Sequence, residues 1–150
     1  MYQIIRQYWE YTPLPEPHVA GIVVGSALHA RRPWRITRYR LITRICGLAL
    51  IGWGVFVNGW AFYSIAKTIG RGERQLVTTG PYSFSRNPIY VGWTMLYAGF
   101  ALLKNNGWIA LFLPAVIAIT HWATHREEQW LEQEFGEEYR AYRRRVPPYL

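Results

Sequence analysis

The sequence predicts an all-α integral membrane bundle of about four spans followed by a C-terminal amphipathic helix. Half of its 150 residues (51%) are hydrophobic, and they gather into runs that hold almost no charge. The 17 Lys and Arg lie mainly between those runs, as in loops that flank membrane helices. Beyond residue 124 the pattern changes to charged residues interleaved with Trp130, Leu131, Phe135, Tyr139 and Tyr142 near helical spacing.

A hydrocarbon core about 30 Å thick needs about 20 helical residues, and fewer where a helix is packed inside a bundle. Residues 1–17 hold Arg6, Glu10, Glu16 and three prolines without an apolar core. No signal peptide is expected there, so insertion falls to the internal spans. Val19–Ala30 is short for a span and reads as the first membrane helix, starting before Pro17. Residues 31–40 then carry five arginines. Leu41–Ala66 is apolar apart from Thr43, Arg44, Asn58 and Ser64, and is long enough to cross with tilt. Its glycines at 47, 52, 54 and 59 suit close helix packing.

Residues 67–88 form a loop rich in Gly, Thr and Ser. Ile89–Leu103 and Gly107–Thr124 are both uncharged, and Pro114 inside the second predicts a kink. Only Lys104-Asn105-Asn106 separates them, so they form an antiparallel hairpin. Residues 125–145 are expected as an amphipathic helix at the membrane interface. The whole chain, 1–150, reads as one domain, with N-terminal spans in 1–66 and the informative motifs in 67–150.

The net charge of +8 favours basic loops beside a bilayer over nucleic-acid binding, because the cations alternate with long apolar runs. Cys46 is the only cysteine, which rules out an intramolecular disulfide. Orientation is weakly coded. If Leu41–Ala66 spans, the six cations of 31–44 and Lys104 face one side, while Arg6, the four of 67–88 and the five of the tail face the other.

Chemistry concentrates in two stretches. The first runs from Arg74-Gln75-Leu76-Val77 through Gly80-Pro81-Tyr82 to Arg86-Asn87-Pro88-Ile89-Tyr90. Gly80-Pro81 marks a turn, and Asn87-Pro88 is a helix start with Asn at the N-cap and Pro at the first helical position. The unpaired N–H groups and positive dipole end of such a helix suit a carboxylate or phosphate. Arg86 adds a cation, and Tyr82 and Tyr90 add faces for a flat ring or a sulfonium. The second stretch is Glu127-Glu128, then Phe135-Gly136-Glu137-Glu138-Tyr139 and Arg145-Val146-Pro147. The hairpin returns Glu127 and Glu128 to the face that carries Arg86, where a carboxylate can meet an ammonium or a ribose hydroxyl. On these residues alone an interfacial ion pair and an aromatic belt remain alternatives. His121 and His125 stand at i and i+4, a metal-ligand spacing, but without a further ligand no metal is expected.

Leu-Val-Thr-x-Gly-Pro-Tyr, Arg-Asn-Pro-x-Tyr-x-Gly, the Glu-Glu pair after a hairpin and Phe-Gly-Glu-Glu-Tyr-x-x-Tyr-x-x-Arg-Val-Pro resemble the signature of the isoprenylcysteine carboxyl and phospholipid methyltransferase superfamily. The match covers roughly residues 67–148. The resemblance implies S-adenosylmethionine as cofactor, S-adenosylhomocysteine as product, and a multi-pass membrane enzyme with a cytosolic cofactor pocket closed by the tail. A lipid or apolar acceptor would enter from the bilayer. It also implies cofactor-binding roles for Arg74, Gln75, Leu76, Val77, Tyr82, Asn87, Pro88, Ile89, Tyr90 and Glu127, with Lys67 a looser match. Arg86 joins them as the adjacent cation. Direct displacement by an O, N or S nucleophile is the expected reaction, and Glu128, His125 and His121 are the candidate bases for an amine acceptor.

Two departures bear on the acceptor. Prenylcysteine enzymes carry Arg-His-Pro where this chain has Arg86-Asn87-Pro88. They also place a substrate-binding Arg four residues before the cofactor-binding Glu, where this chain has Ala123. Methylation of a small thiol, or a non-catalytic membrane protein that keeps the fold, are the alternative readings.

Overall fold

A computed structural model describes residues 15–69 and 75–149. Five helices make up the described chain: α1 (Glu16–Arg31), α2 (Arg40–Ile69), α3 (Pro88–Leu103), α4 (Gly107–Phe135) and α5 (Glu137–Arg145). A 3-10 turn, Gly80–Ser83, lies between α2 and α3, and no strand occurs among the described residues. The expected first helix therefore begins at Glu16, with Pro17 in its first turn. Helix α2 packs along α3, and α1 packs along α4.

Small residues let these helices approach. A Cβ on Gly47 would lie 2.7 Å from the Leu103 amide nitrogen, and one on Gly54 would lie 2.8 Å from the Gly92 carbonyl. Gly52 and Gly59 face open space, so only half of the expected glycine set serves packing. Gly25 performs the same task for α1, where a Cβ would meet the backbone of Ile109 at 2.8 Å.

The α3–α4 turn is built by its two asparagines. Asn105 adopts φ 50°, a left-handed conformation that Asn tolerates better than most residues. Its side chain bonds both the N–H and the carbonyl of Thr37. Asn106 caps α4 by accepting from the amides of Trp108 and Ile109, and it donates to the Gly25 carbonyl. The hairpin is thus locked to α1 and to the loop between α1 and α2.

Two helices, Arg40–Thr68 and Gly107–Phe135, are long and apolar enough to cross a membrane, and Pro88–Leu103 is a shorter apolar helix. Val23, Leu41, Ile45, Leu48, Ile119 and Trp122 are more than half exposed, which gives the bundle an apolar outer face suited to lipid.

The C-terminal segment differs from expectation. Helix α4 continues past residue 124 and ends at Phe135, with Pro114 inside it. The interruption falls at Gly136, whose φ of 52° favours glycine. The stripe does not lie on a lipid face. Leu131 and Phe135 pack with Tyr139, Tyr142 and Val146 around Leu76, so they join the tail to the loop after α2.

Candidate functional site

The loop before α3 and the tail after α5 are bonded to each other. The Arg86 amide donates to the Pro147 carbonyl at 2.9 Å, and Ser85 Oγ donates to the Pro148 carbonyl at 3.2 Å. Asn87 occupies the N-cap position of α3, as its sequence predicts, yet its side chain makes no capping bond. Its amide nitrogen donates instead to the Pro148 carbonyl (3.1 Å) and to Glu128 (3.4 Å). Tyr142 Oη donates to the Tyr82 carbonyl at 2.7 Å.

Behind these contacts lies a cavity of about 60 Å³. Its walls include Leu76, Val77, Tyr82, Arg86, Asn87, Pro88, Ile89, Tyr90 and Glu127, nine of the eleven residues expected to bind cofactor. Gln75 is exposed beside Leu76, and Arg74 lies outside the described residues. Ile65, Leu131 and Tyr142 complete the lining; Tyr142 is the second Tyr of the tail motif, and none of the three was expected to bind cofactor.

Two carboxylates serve different partners here. Glu128 forms a buried ion pair with Arg86 at 3.2 Å. Glu127 accepts a hydrogen bond from Tyr90 Oη at 3.2 Å. The Arg86 Nε and Nη1 atoms are buried without a hydrogen-bond partner among the described residues, as is Tyr139 Oη. Burial, and then the nearby Glu128 carboxylate, push the Tyr139 phenol up to about 12. Burial also raises the Tyr142 phenol, so both hydroxyls stay protonated donors at neutral pH.

A second cavity, of about 290 Å³, runs between α3 and α4 and shares Tyr90 with the first. Its walls are almost wholly apolar, with Val91, Met95 and Ile117 beside Thr94, Thr120 and Tyr149. Tyr149 Oη meets His121 Nδ1 at 3.0 Å, and His121 Nε2 meets His125 Nε2 at 3.1 Å. The two histidines therefore bond each other and the tail. Among the described residues no group of three or more His, Cys or acidic side chains could hold a metal. Tyr149 follows the last motif and Thr94 is one polar residue inside an apolar span, so neither carries a local signal of a groove.

Residues 42–138 match the model of the phospholipid methyltransferase family. A protein-S-isoprenylcysteine O-methyltransferase of Rattus norvegicus is 33% identical over 71% of this chain and 38% of its own length. Protein-S-isoprenylcysteine O-methyltransferase B of Arabidopsis thaliana is 30% identical over 87% of this chain and 66% of its own. A phosphatidylethanolamine N-methyltransferase of Rattus norvegicus is 34% identical over 50% of this chain and 41% of its own length. The chain thus spans between about two fifths and two thirds of these relatives. No solved structure gives a significant match. The matched region contains both cavity-lining stretches, from Leu76 to Glu127, and on that shared frame the chain belongs to the phospholipid methyltransferase family.

Proposed function

We propose that the protein is an integral membrane methyltransferase that moves a methyl group from S-adenosylmethionine to a lipid or other apolar acceptor. The observation that carries this reading is the convergence of nine motif residues on one cavity that shares Tyr90 with an apolar groove.

The residues fit the cofactor. Arg86 offers two buried N–H groups without a partner among the described residues, which suits the amino-acid carboxylate. Glu127, oriented by Tyr90, suits an ammonium or ribose hydroxyl. Leu76, Val77 and Ile89 supply apolar wall for a flat ring, with Tyr82 beside them. Arg74 and Gln75 belong to the same proposed set through the motif. When bound, S-adenosylmethionine supplies a methyl group activated on a sulfonium. A drug-sized ligand needs a pocket of about 300 Å³ or more. The Pro147–Pro148 strap and α5 therefore act as the cap that yields for entry and closes afterwards.

The chain's own contribution is positioning and exclusion of water. Glu128 holds Arg86 and Asn87 in place from within the wall. An amine acceptor must lose a proton, and His125 receives it through His121 and Tyr149, which lines the groove. Glu128, tied to Arg86, is the secondary candidate base.

In this reading the molecule is a single domain with four membrane helices, α1 to α4. Residues 1–66 supply spans, 67–150 supply the site, and the cofactor face is cytoplasmic. At about 24 Å each, α1 and α3 cross only as packed members of the bundle. The test is incubation of purified protein with methyl-labelled cofactor and a total lipid extract, followed by mass analysis. Labelled lipid is the expected result. Label in a soluble thiol alone would identify a small-molecule enzyme, and absence of S-adenosylhomocysteine binding would identify a non-catalytic relative.

A further inference from the structure

At the end of the bundle away from Arg86 lies a polar cavity of about 650 Å³, lined by His29, Arg35, Arg40, Arg44, Lys104 and Asn105 among others. It sits where α1 ends, α2 begins and the α3–α4 turn passes. We propose that this cavity binds the phosphate headgroup of an anionic phospholipid.

None of these cations has an acidic partner among the described residues. Every ion pair among the described residues belongs to Arg86, Arg140, Arg143 or Arg144, at the opposite end. Arg40 and Arg44 stand one helical turn apart on α2, a like-charge spacing that destabilises a helix unless an anion intervenes. Lys104 meets the Phe100 ring rather than a carboxylate. Guanidinium groups converging on one cavity suit phosphate, which they bind through paired N–H groups.

A lipid fits better than a free ion because the cavity is amphipathic in its setting. Leu103 forms part of its wall, and Leu41 and Ile45, beside the cations on α2, are 71% and 60% exposed. An acyl chain could lie along that face while its phosphate meets the arginines. Under the orientation proposed above, this end faces away from the cytoplasm, where cations work against the usual topological bias. A binding role accounts for their presence there, and the lipid test below does not depend on cofactor binding.

The full chain, purified in neutral detergent, is mixed with equal phosphatidylglycerol and phosphatidylcholine and examined by native mass spectrometry. Bound phosphatidylglycerol should exceed phosphatidylcholine by roughly fivefold or more, as several cations near one phosphate imply. Arg40→Gln/Arg44→Gln should reduce this to parity. Arg140→Gln/Arg144→Gln, which removes equal charge from the other end, should leave the preference intact. If the first double variant is not monodisperse, Arg44→Gln alone should lower the preference while Arg44→Lys retains most of it. Equal occupancy by the two lipids in the parent, or an unchanged preference in the Arg40/Arg44 variants, overturns the proposal. Displacement of phosphatidylglycerol by an equal concentration of inorganic phosphate shows a free-anion site and overturns the lipid assignment.

Discussion

Arg86 Nη2 and Glu128 Oε1 lie 3.2 Å apart, with only 8% and 6% of their side chains exposed. The pair joins the loop just before α3 to the C-terminal portion of α4. Removing one member of a buried pair leaves an uncompensated charge and costs about 3–5 kcal/mol. Glu128→Ala should therefore lower the thermal unfolding temperature sharply in detergent. Glu128→Gln keeps an acceptor for Asn87 and should be milder. Unchanged melting in both variants would show that the pair does not hold these helices together.

Glu127 has a different task, since its visible partner is the neutral Tyr90 phenol. Glu127→Ala should raise the Kd for S-adenosylhomocysteine at least tenfold, about 1.4 kcal/mol, measured by calorimetry. Glu132→Ala removes a carboxylate paired with Arg140 and Arg143 on the exposed face and should change it little.

The proposed cap is held in part by the hydrogen bond from Tyr142 Oη to the Tyr82 carbonyl. Tyr142→Phe should cost about 0.5–1.5 kcal/mol, read as weaker cofactor binding with near-normal expression. Raised phenol values also fix a pH dependence. The fold favours the protonated forms, so the contribution of Tyr139 is fully present below pH ~10 and is lost only as pH rises through about 12. S-adenosylhomocysteine affinity should not fall between pH 7 and 9 on account of these tyrosines. A drop in Tyr142→Phe equal to that in the parent over this range would assign any loss to other groups.

Helix packing makes a paired prediction. A Cβ on Gly92 would collide with the Asn58 side chain, whereas Gly52 has nothing near it. Gly92→Ala should destabilise by about 1–3 kcal/mol as an overpacked contact, while Gly52→Ala should be neutral or better. Similar melting of the two variants would contradict the α2–α3 contact.

The acceptor prediction follows from Ala123. A buried carboxylate without a cationic partner loses a charge-assisted hydrogen bond of about 1.5–3 kcal/mol and keeps its desolvation cost. Farnesylcysteine analogues should be poor substrates beside a total lipid extract, and Ala123→Arg should not remove contacts to a neutral or amine acceptor. Efficient turnover of the farnesyl compound alone would show that another residue takes the carboxylate.

What the chain reveals locally was readable, and what arises at long range was not. The hairpin at Lys104–Asn106 and the start of α3 at Pro88 follow from turn and cap chemistry within a few residues. The expected span ends at Thr124, because charge rises at His125-Arg126-Glu127. Charge ends a hydrophobic run but does not end a helix, and α4 continues until Gly136 supplies the left-handed φ. Asn87 shows the same limit. Its position is local and was foreseen, but its bonds to Glu128 and Pro148 span 41 and 61 residues. Tyr149, at the chain's edge, entered the groove for the same reason.

The uninterrupted course of α4 has a mechanical consequence. Its 29 residues measure about 43 Å, longer than a hydrocarbon core of about 30 Å, so in the proposed membrane setting one rod reaches from lipid to the proposed cofactor site. Glu127 and Glu128 ride on the same continuous helix, C-terminal to Pro114, with no helix end between them and the apolar portion. A thicker or thinner bilayer that changes the rod's tilt must swing both carboxylates against the loop that holds Arg86 and Tyr90. Lipid acyl length is thereby coupled to the alignment of the site, and the membrane becomes part of the gauge that sets it.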